Sequence, residues 1–229
     1  MSRSKIRWGR YVLCVCLLLM LLASLATAKA EERTDASGQW TYVLEDGGAT
    51  ITGYVEEPSG DLLIPEELDG YTVAGIGDRA FWVCQRLTTV KIPDSVTNIG
   101  GEAFYWCRTL TNVKIPDGVT SIGDSAFAYC SGLTSVTIPT SVTSINDGAF
   151  LMCKSLVSVI IPDNVISIGN SAFFGTDLTS VTIPAGVTNI GPYAFSGPDQ
   201  LILSVTEGSY AEQYAKENDL PYVLITNEP

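Results

Sequence analysis

Phenylalanine recurs at positions 81, 104, 127, 150, 173 and 195, at intervals of 23, 23, 23, 23 and 22 residues. Each closes the same short phrase. Ile76-Gly77-Asp78-Arg79-Ala80-Phe81 returns as Ile99–Phe104, Ile122–Phe127, Ile145–Phe150, Ile168–Phe173 and Ile190–Phe195. Between the phenylalanines runs a second phrase, Leu87-x-x-Val90-x-Ile92-Pro93, repeated from Leu110, Leu133, Leu156 and Leu178. A chain with this register is constrained to place equivalent residues equivalently, one turn above the last.

The unit has a physical reading. Val-x-Ile alternates with period two, so a short strand points Val and Ile inward and the residue between them outward. Proline after Ile carries no N–H and ends the strand. A second apolar pair, such as Val96 and Ile99, returns the chain across the core. Glycine then permits a tight turn, and Asp78, Asp124, Asp147 and Asn170 stand where a helix N-cap would. Ala80-Phe81 and its equivalents are expected to form a single helical turn with Phe in the core. One such unit cannot bury its own apolar side, so neighbours must stack and the ends must be capped.

Both flanks supply caps. Trp40-Thr41-Tyr42 and Ile51–Tyr54 read as strands, and Leu62-x-Ile64-Pro65 as an irregular first unit. After the repeats, Leu201–Val205 reads as a last strand. Ser209 with Glu212 makes a capping box opening a short helix, and Tyr222–Ile225 is a final strand. The expected organisation is residues 1–30 as leader, 31–75 as N-terminal flank and irregular capping unit, 76–200 as repeat core, and 201–229 as C-terminal cap with a short helix.

The leader reading rests on a basic start (Arg3, Lys5, Arg7, Arg10), an apolar run from Tyr11 to Leu25, and the small-x-small step Ala28-Lys29-Ala30. Cleavage near Ala30 is expected, leaving the protein secreted, periplasmic or on the cell surface; a retained anchor is the competing reading. All 25 acidic residues follow position 30, whereas Lys29 and the four basic residues above precede it. Of the 13 basic residues eight therefore remain, giving residues 31–229 a formal charge of −17. That balance disfavours nucleic acid and anionic membranes.

The chain contains no histidine, which removes the commonest general base and His-containing metal sites. The repeated acids recur because the turn recurs, so no catalytic residues and no cofactor are expected. Cys84, Cys107, Cys130 and Cys153 stand three residues after successive phenylalanines, and a row spanning about 14 Å cannot converge on one metal. Buried free thiols are expected. Disulfides between neighbours such as Cys84–Cys107 or Cys130–Cys153 are the alternative in an oxidising compartment.

Two surfaces could bind. The outward residues of the strands are Thr89 and Lys91, Asn112 and Lys114, Ser135 and Thr137, Ser158 and Ile160, and Ser180 and Thr182. They form a small polar face able to hydrogen-bond a glycan or a protein, and equally able to serve only as a solvated strand. Lys91, Lys114 and Ile160 interrupt the regular threonine array that ice binding would need. The second surface is aromatic, around Trp106 and Tyr129 beside the phenylalanines, residues that could anchor a partner or pack between turns.

The unit Leu-x-x-Val-x-Ile-Pro-x-x-Val-x-x-Ile-Gly-x-x-Ala-Phe-x-x-Cys, the opening Ile51-Thr52-Gly53-Tyr54 and the closing Gly208–Ala215 resemble the BspA-like (Treponema pallidum-type) leucine-rich-repeat family over residues 40–226. The resemblance implies an α/β leucine-rich-repeat solenoid of predominantly short strands, right-handed, with about six units of 22–23 residues and caps at both ends. It implies exported or surface proteins of anaerobic and host-associated bacteria, some of them adhesins, with no shared catalytic residues. No sorting motif, wall-binding repeat or C-terminal anchor is read from this chain. The expected function is non-enzymatic recognition of an extracellular or envelope protein, or a glycan. A structural or accessory envelope module is the alternative.

Overall fold

The computed structural model describes residues 30–225; nearly all of the expected leader lies outside them. Contacts divide the chain between Glu31 and Glu32, and everything below concerns the second unit.

Each repeat delivers the same residues to one continuous core. In the unit from Leu110, the side chains of Leu110, Val113, Ile115, Val119, Ile122, Ala126, Phe127 and Cys130 are all buried. The Val-x-Ile strands stack in parallel on one side, the face that the family resemblance makes concave. Gly60–Leu63, Leu87–Lys91 and Asn112–Lys114 form one run, Ser135–Thr137 pairs Ser158–Ile160, and Ser180–Thr182, Ile202–Thr206 and Tyr222–Ile225 form a third. Two-residue strands such as Asn98–Ile99 and Ser121–Ile122 make a second parallel ladder where the chain returns. At the N-terminal end Trp40–Glu45 and Gly48–Tyr54 form an antiparallel hairpin, and Gly48–Tyr54 joins the return ladder through Tyr71–Ile76.

The phenylalanines stack face to face at 5.0, 5.2, 5.6, 5.5 and 5.4 Å between ring centroids, within 10° of parallel. Trp40 and Tyr54 close this column against Phe81, and Tyr214 closes it edge-on against Phe195. Tyr214 belongs to the helix Tyr210–Glu217. There the Ser209 side chain accepts from the Glu212 N–H, and the Glu212 carboxylate reaches back to the Gly208 N–H.

The turn around each phenylalanine is not helical, contrary to the expectation from sequence. Alternate N–H groups leave their own turn and donate to the next repeat: Arg79 to Gly101, Phe81 to Ala103 and Val83 to Tyr105, with the same triplet from Glu102, Phe104 and Trp106. Left-handed backbone makes this possible. Arg79, Glu102, Ser125, Gly148, Ser171 and Tyr193 share a positive φ, as do Val83, Trp106, Tyr129, Met152, Gly175 and Gly197. A non-glycine residue pays of order 1 kcal/mol or more for that conformation, and the inter-repeat hydrogen bond offsets it. The repeated acids are likewise not N-caps. Asp78 accepts from the Gly101 N–H, and Asp147 from the Asn170 N–H and side-chain amide, so each staples one turn to the following one.

The turn glycines are required by closeness rather than by φ. A Cβ on Gly123 would lie 2.4 Å from the Gly101 nitrogen, and one on Gly191 2.5 Å from the Asn170 nitrogen. These glycines donate to the isoleucine carbonyl of the preceding repeat: Gly100 to Ile76, Gly123 to Ile99, Gly169 to Ile145 and Gly191 to Ile168. The fourth repeat has Asn146 at this position. Among the described residues the equivalent bond to Ile122 does not form, and the return ladder is interrupted between Ser121–Ile122 and Ser144–Ile145. An asparagine Cβ is a sufficient cause, since it cannot enter the space that glycine vacates.

Gly123→Ala should therefore destabilise by about 1–3 kcal/mol, the usual cost of overpacking. Gly186→Ala, whose Cβ meets only the Asp163 carbonyl at 3.4 Å, should change stability little. Urea unfolding of the two variants checks this, and equal midpoints would contradict the close-stacking account.

Candidate functional site

The outward residues of the concave strands fall into two straight columns because the strands pair in register. Thr89 lies opposite Asn112 and Ser135 opposite Ser158; Lys91 lies opposite Lys114 and Thr137 opposite Ile160. Lys91, Asn112, Lys114, Ser135, Thr137, Ser158, Ile160, Ser180 and Thr182 are exposed. Thr89 is half-buried and donates to the Asp61 carboxylate at 2.6 Å. Asp61 and Leu63 extend the columns at one end, and Ile202 and Ser204 at the other. These four lie outside the regular repeats and do not stand out in the sequence, although Leu62-x-Ile64-Pro65 frames Leu63 as an outward residue.

The concave ladder is interrupted twice, between Ser158–Ile160 and Ser180–Thr182 and, at the junction that the return ladder also loses, between Asn112–Lys114 and Ser135–Thr137. An open hollow of about 340 Å³ lies there, bordered by Asn112, Lys114, Asp117, Ser135 and Thr137.

The aromatic surface is a separate place. Trp106 and Tyr129 come together at 6.3 Å, with Tyr105 5.3 Å from Tyr129 and the Arg108 guanidinium 5.1 Å from the Trp106 ring centre. Trp106 is 37% exposed and Trp82, the counterpart of Tyr105 one turn earlier, is 49% exposed. Trp106 and Tyr129 hold left-handed backbone, which sets them in the inter-repeat hydrogen-bonded column. Arg108 was not singled out by sequence, because its place over Trp106 depends on the turn geometry.

The sequence matches the BspA type leucine rich repeat region in six copies over residues 74–202. The chain belongs to the BspA-type leucine-rich-repeat family. A Treponema pallidum leucine-rich-repeat protein of known structure is similar at 34% identity and a TM-score of 0.69, over 76% of this chain and 81% of that one. A leucine-rich cell surface protein from Faecalibacterium prausnitzii is similar at 38% identity and a TM-score of 0.63, over 79% of this chain. The match spans 56% of the Faecalibacterium protein. No curated protein matches the chain.

BspA-type repeats of this kind are scaffold and recognition modules rather than catalysts. Among the described residues no group of three or more His, Cys, Asp or Glu side chains is placed to hold a metal. No helix among them is long and apolar enough to cross a membrane.

The cysteines of the BspA-type unit form a buried column of free thiols. Cys107, Cys130 and Cys153 each donate to the carbonyl of the phenylalanine one repeat back, Phe81, Phe104 and Phe127, at 3.1 Å. Thr176 takes the equivalent place in the fifth repeat and donates to the Phe173 carbonyl. Burial pushes the Cys153 thiol up to about 12 and raises Cys130. Cys84 and Cys107 are raised first by the neighbouring thiol, Cys107 and Cys130 respectively, and then by burial. A thiol raised in the folded state supports folding below its unfolded pKa and loses that contribution as pH climbs towards the folded value. Stability should therefore fall from about pH 9 upwards as the unfolded thiols ionise. The four thiols should resist a thiol reagent in the native protein and react once it is denatured without reductant. Recovery of almost no thiol under those denaturing conditions would mean disulfides instead.

Proposed function

We propose that this BspA-type region is a non-enzymatic recognition module that acts outside the cytoplasm and binds a protein or glycan through its concave columns. The observation that carries this reading is the polar stretch of the two columns at Lys91, Asn112, Lys114, Ser135 and Thr137, exposed over a buried stack at the strand spacing of about 4.8 Å. Such a surface presents hydrogen-bonding groups at fixed intervals, which limits the ordering cost of binding. Secretion or surface display is supported by the leader-like residues 1–30 and by the likeness to a Faecalibacterium cell surface protein.

A second reading has its own observation. Among the described residues the last concave strand, Tyr222–Ile225, pairs on one side only, with Ile202–Thr206, and leaves Val223 and Leu224 about half exposed, at 48% and 51%. An open edge of this kind can pair with another chain, which suits an accessory envelope module.

Affinity capture with residues 31–229, against host-matrix and bacterial-envelope extracts, separates these readings. The quadruple variant Lys91→Glu, Lys114→Glu, Ser135→Glu, Thr137→Glu, verified as folded, should lose the partner, whereas Trp106→Ala with Tyr129→Ala should keep it. Loss in the aromatic variant alone would move the site to the turn. Capture unaffected by either set, together with concentration-dependent self-association in sedimentation, would favour the accessory role.

A further inference from the structure

We infer that the hollow between Asn112–Lys114 and Ser135–Thr137, with Lys91 opposite Lys114 on the neighbouring strand, is a subsite for one anionic sugar residue of an acidic glycan. This rests on the recognition reading above and names the ligand class of the same face.

Charge supplies the first observation. Lys91 and Lys114 are directly opposite on adjacent strands, an arrangement in which like charges repel. Among the described residues the ion pairs are Arg79–Glu102 and Glu212–Lys216, so neither concave lysine has a carboxylate partner. In a region carrying −17 overall, two unpaired ammonium groups side by side form a local anion site that a bound carboxylate or sulfate would neutralise.

The missing ladder supplies the second. Asn112–Lys114 and Ser135–Thr137 do not pair, and of the two gaps in the concave ladder this is the one at which the return ladder is interrupted as well; the hollow opens over it. Its volume of about 340 Å³ is at the small end of ligand sites, room for a single ring.

The chemistry of the rim supplies the third. Asn112 offers donors and an acceptor, Ser135 and Thr137 offer hydroxyls, and Asp117 offers a carboxylate to accept from sugar hydroxyls. Protein partners are anchored mainly by Trp, Tyr and Arg, and none of these borders the hollow. A hydroxyl-rich ligand with one fixed negative charge matches this rim better than an acidic protein segment.

The test is calorimetric titration of the protein, as recovered after export, with oligogalacturonate, sulfated dextran, neutral dextran and polyglutamate. One or both anionic glycans should bind, the two arms separating carboxylate from sulfate, and neutral dextran and polyglutamate should not. Lys114→Gln and Lys91→Gln should each weaken that binding about tenfold, the usual loss for one charge-assisted hydrogen bond. Lys154→Gln, an exposed lysine outside the hollow, should leave it unchanged. Polyglutamate binding with the same lysine dependence would overturn the glycan assignment in favour of an acidic protein. Failure of both glycans to bind would also overturn it, and partner capture that still depends on the concave residues would show that the recognition reading survives on its own.

Discussion

The structure depends on how closely one turn can approach the next. Glycine at the turn lets backbone meet backbone at distances no Cβ would allow, and the phenylalanine rings then fall about 5 Å apart and parallel. At that separation alternate N–H groups of the phenylalanine turn reach the following repeat, so the convex side becomes a hydrogen-bonded column rather than a row of helical turns. Burial of Leu, Val, Ile, Ala and Cys follows from the same spacing. No single repeat could keep these bonds or this core alone.

The concave face inherits its order from the column behind it. Because the paired Val-x-Ile strands are in register, the outward side chains line up across neighbouring turns. The convex column survives at the junction of the third and fourth repeats, where Phe127 donates to Ala149 and Tyr129 to Leu151. Both ladders are interrupted there on the other two sides. The stack is thus fastened at its aromatic edge, while its concave edge lacks strand pairing beside the two lysines and is held there by Thr134, which donates to the Thr111 carbonyl.

Much of this was legible in the sequence because the repeat is short and its chemistry is unambiguous. The 23-residue register identifies equivalent residues, Val-x-Ile-Pro separates inward from outward side chains, and Ser209 with Glu212 marks the capping helix. The misread features arise between repeats. Asp78 and Asp147 have the side chains of N-caps, but their nearest free N–H belongs to the next turn. Left-handed backbone at Val83, Trp106 and Tyr129 runs against residue preference, and only neighbouring turns explain it. The concave hollow opens where two strands do not pair, and Asn146 in place of glycine is the visible sequence departure at the same junction.

Native-state hydrogen exchange resolved by residue tests the central claim most directly. The stacking account predicts that the amides of Phe104, Phe127 and Phe150, each donating to the following repeat, exchange only on global unfolding. The amide of Asn146, without the bond that the turn glycines make, should exchange orders of magnitude faster than those of Gly123 and Gly169. Rapid exchange at the three phenylalanines, or equal protection at Asn146 and its glycine neighbours, would contradict the account.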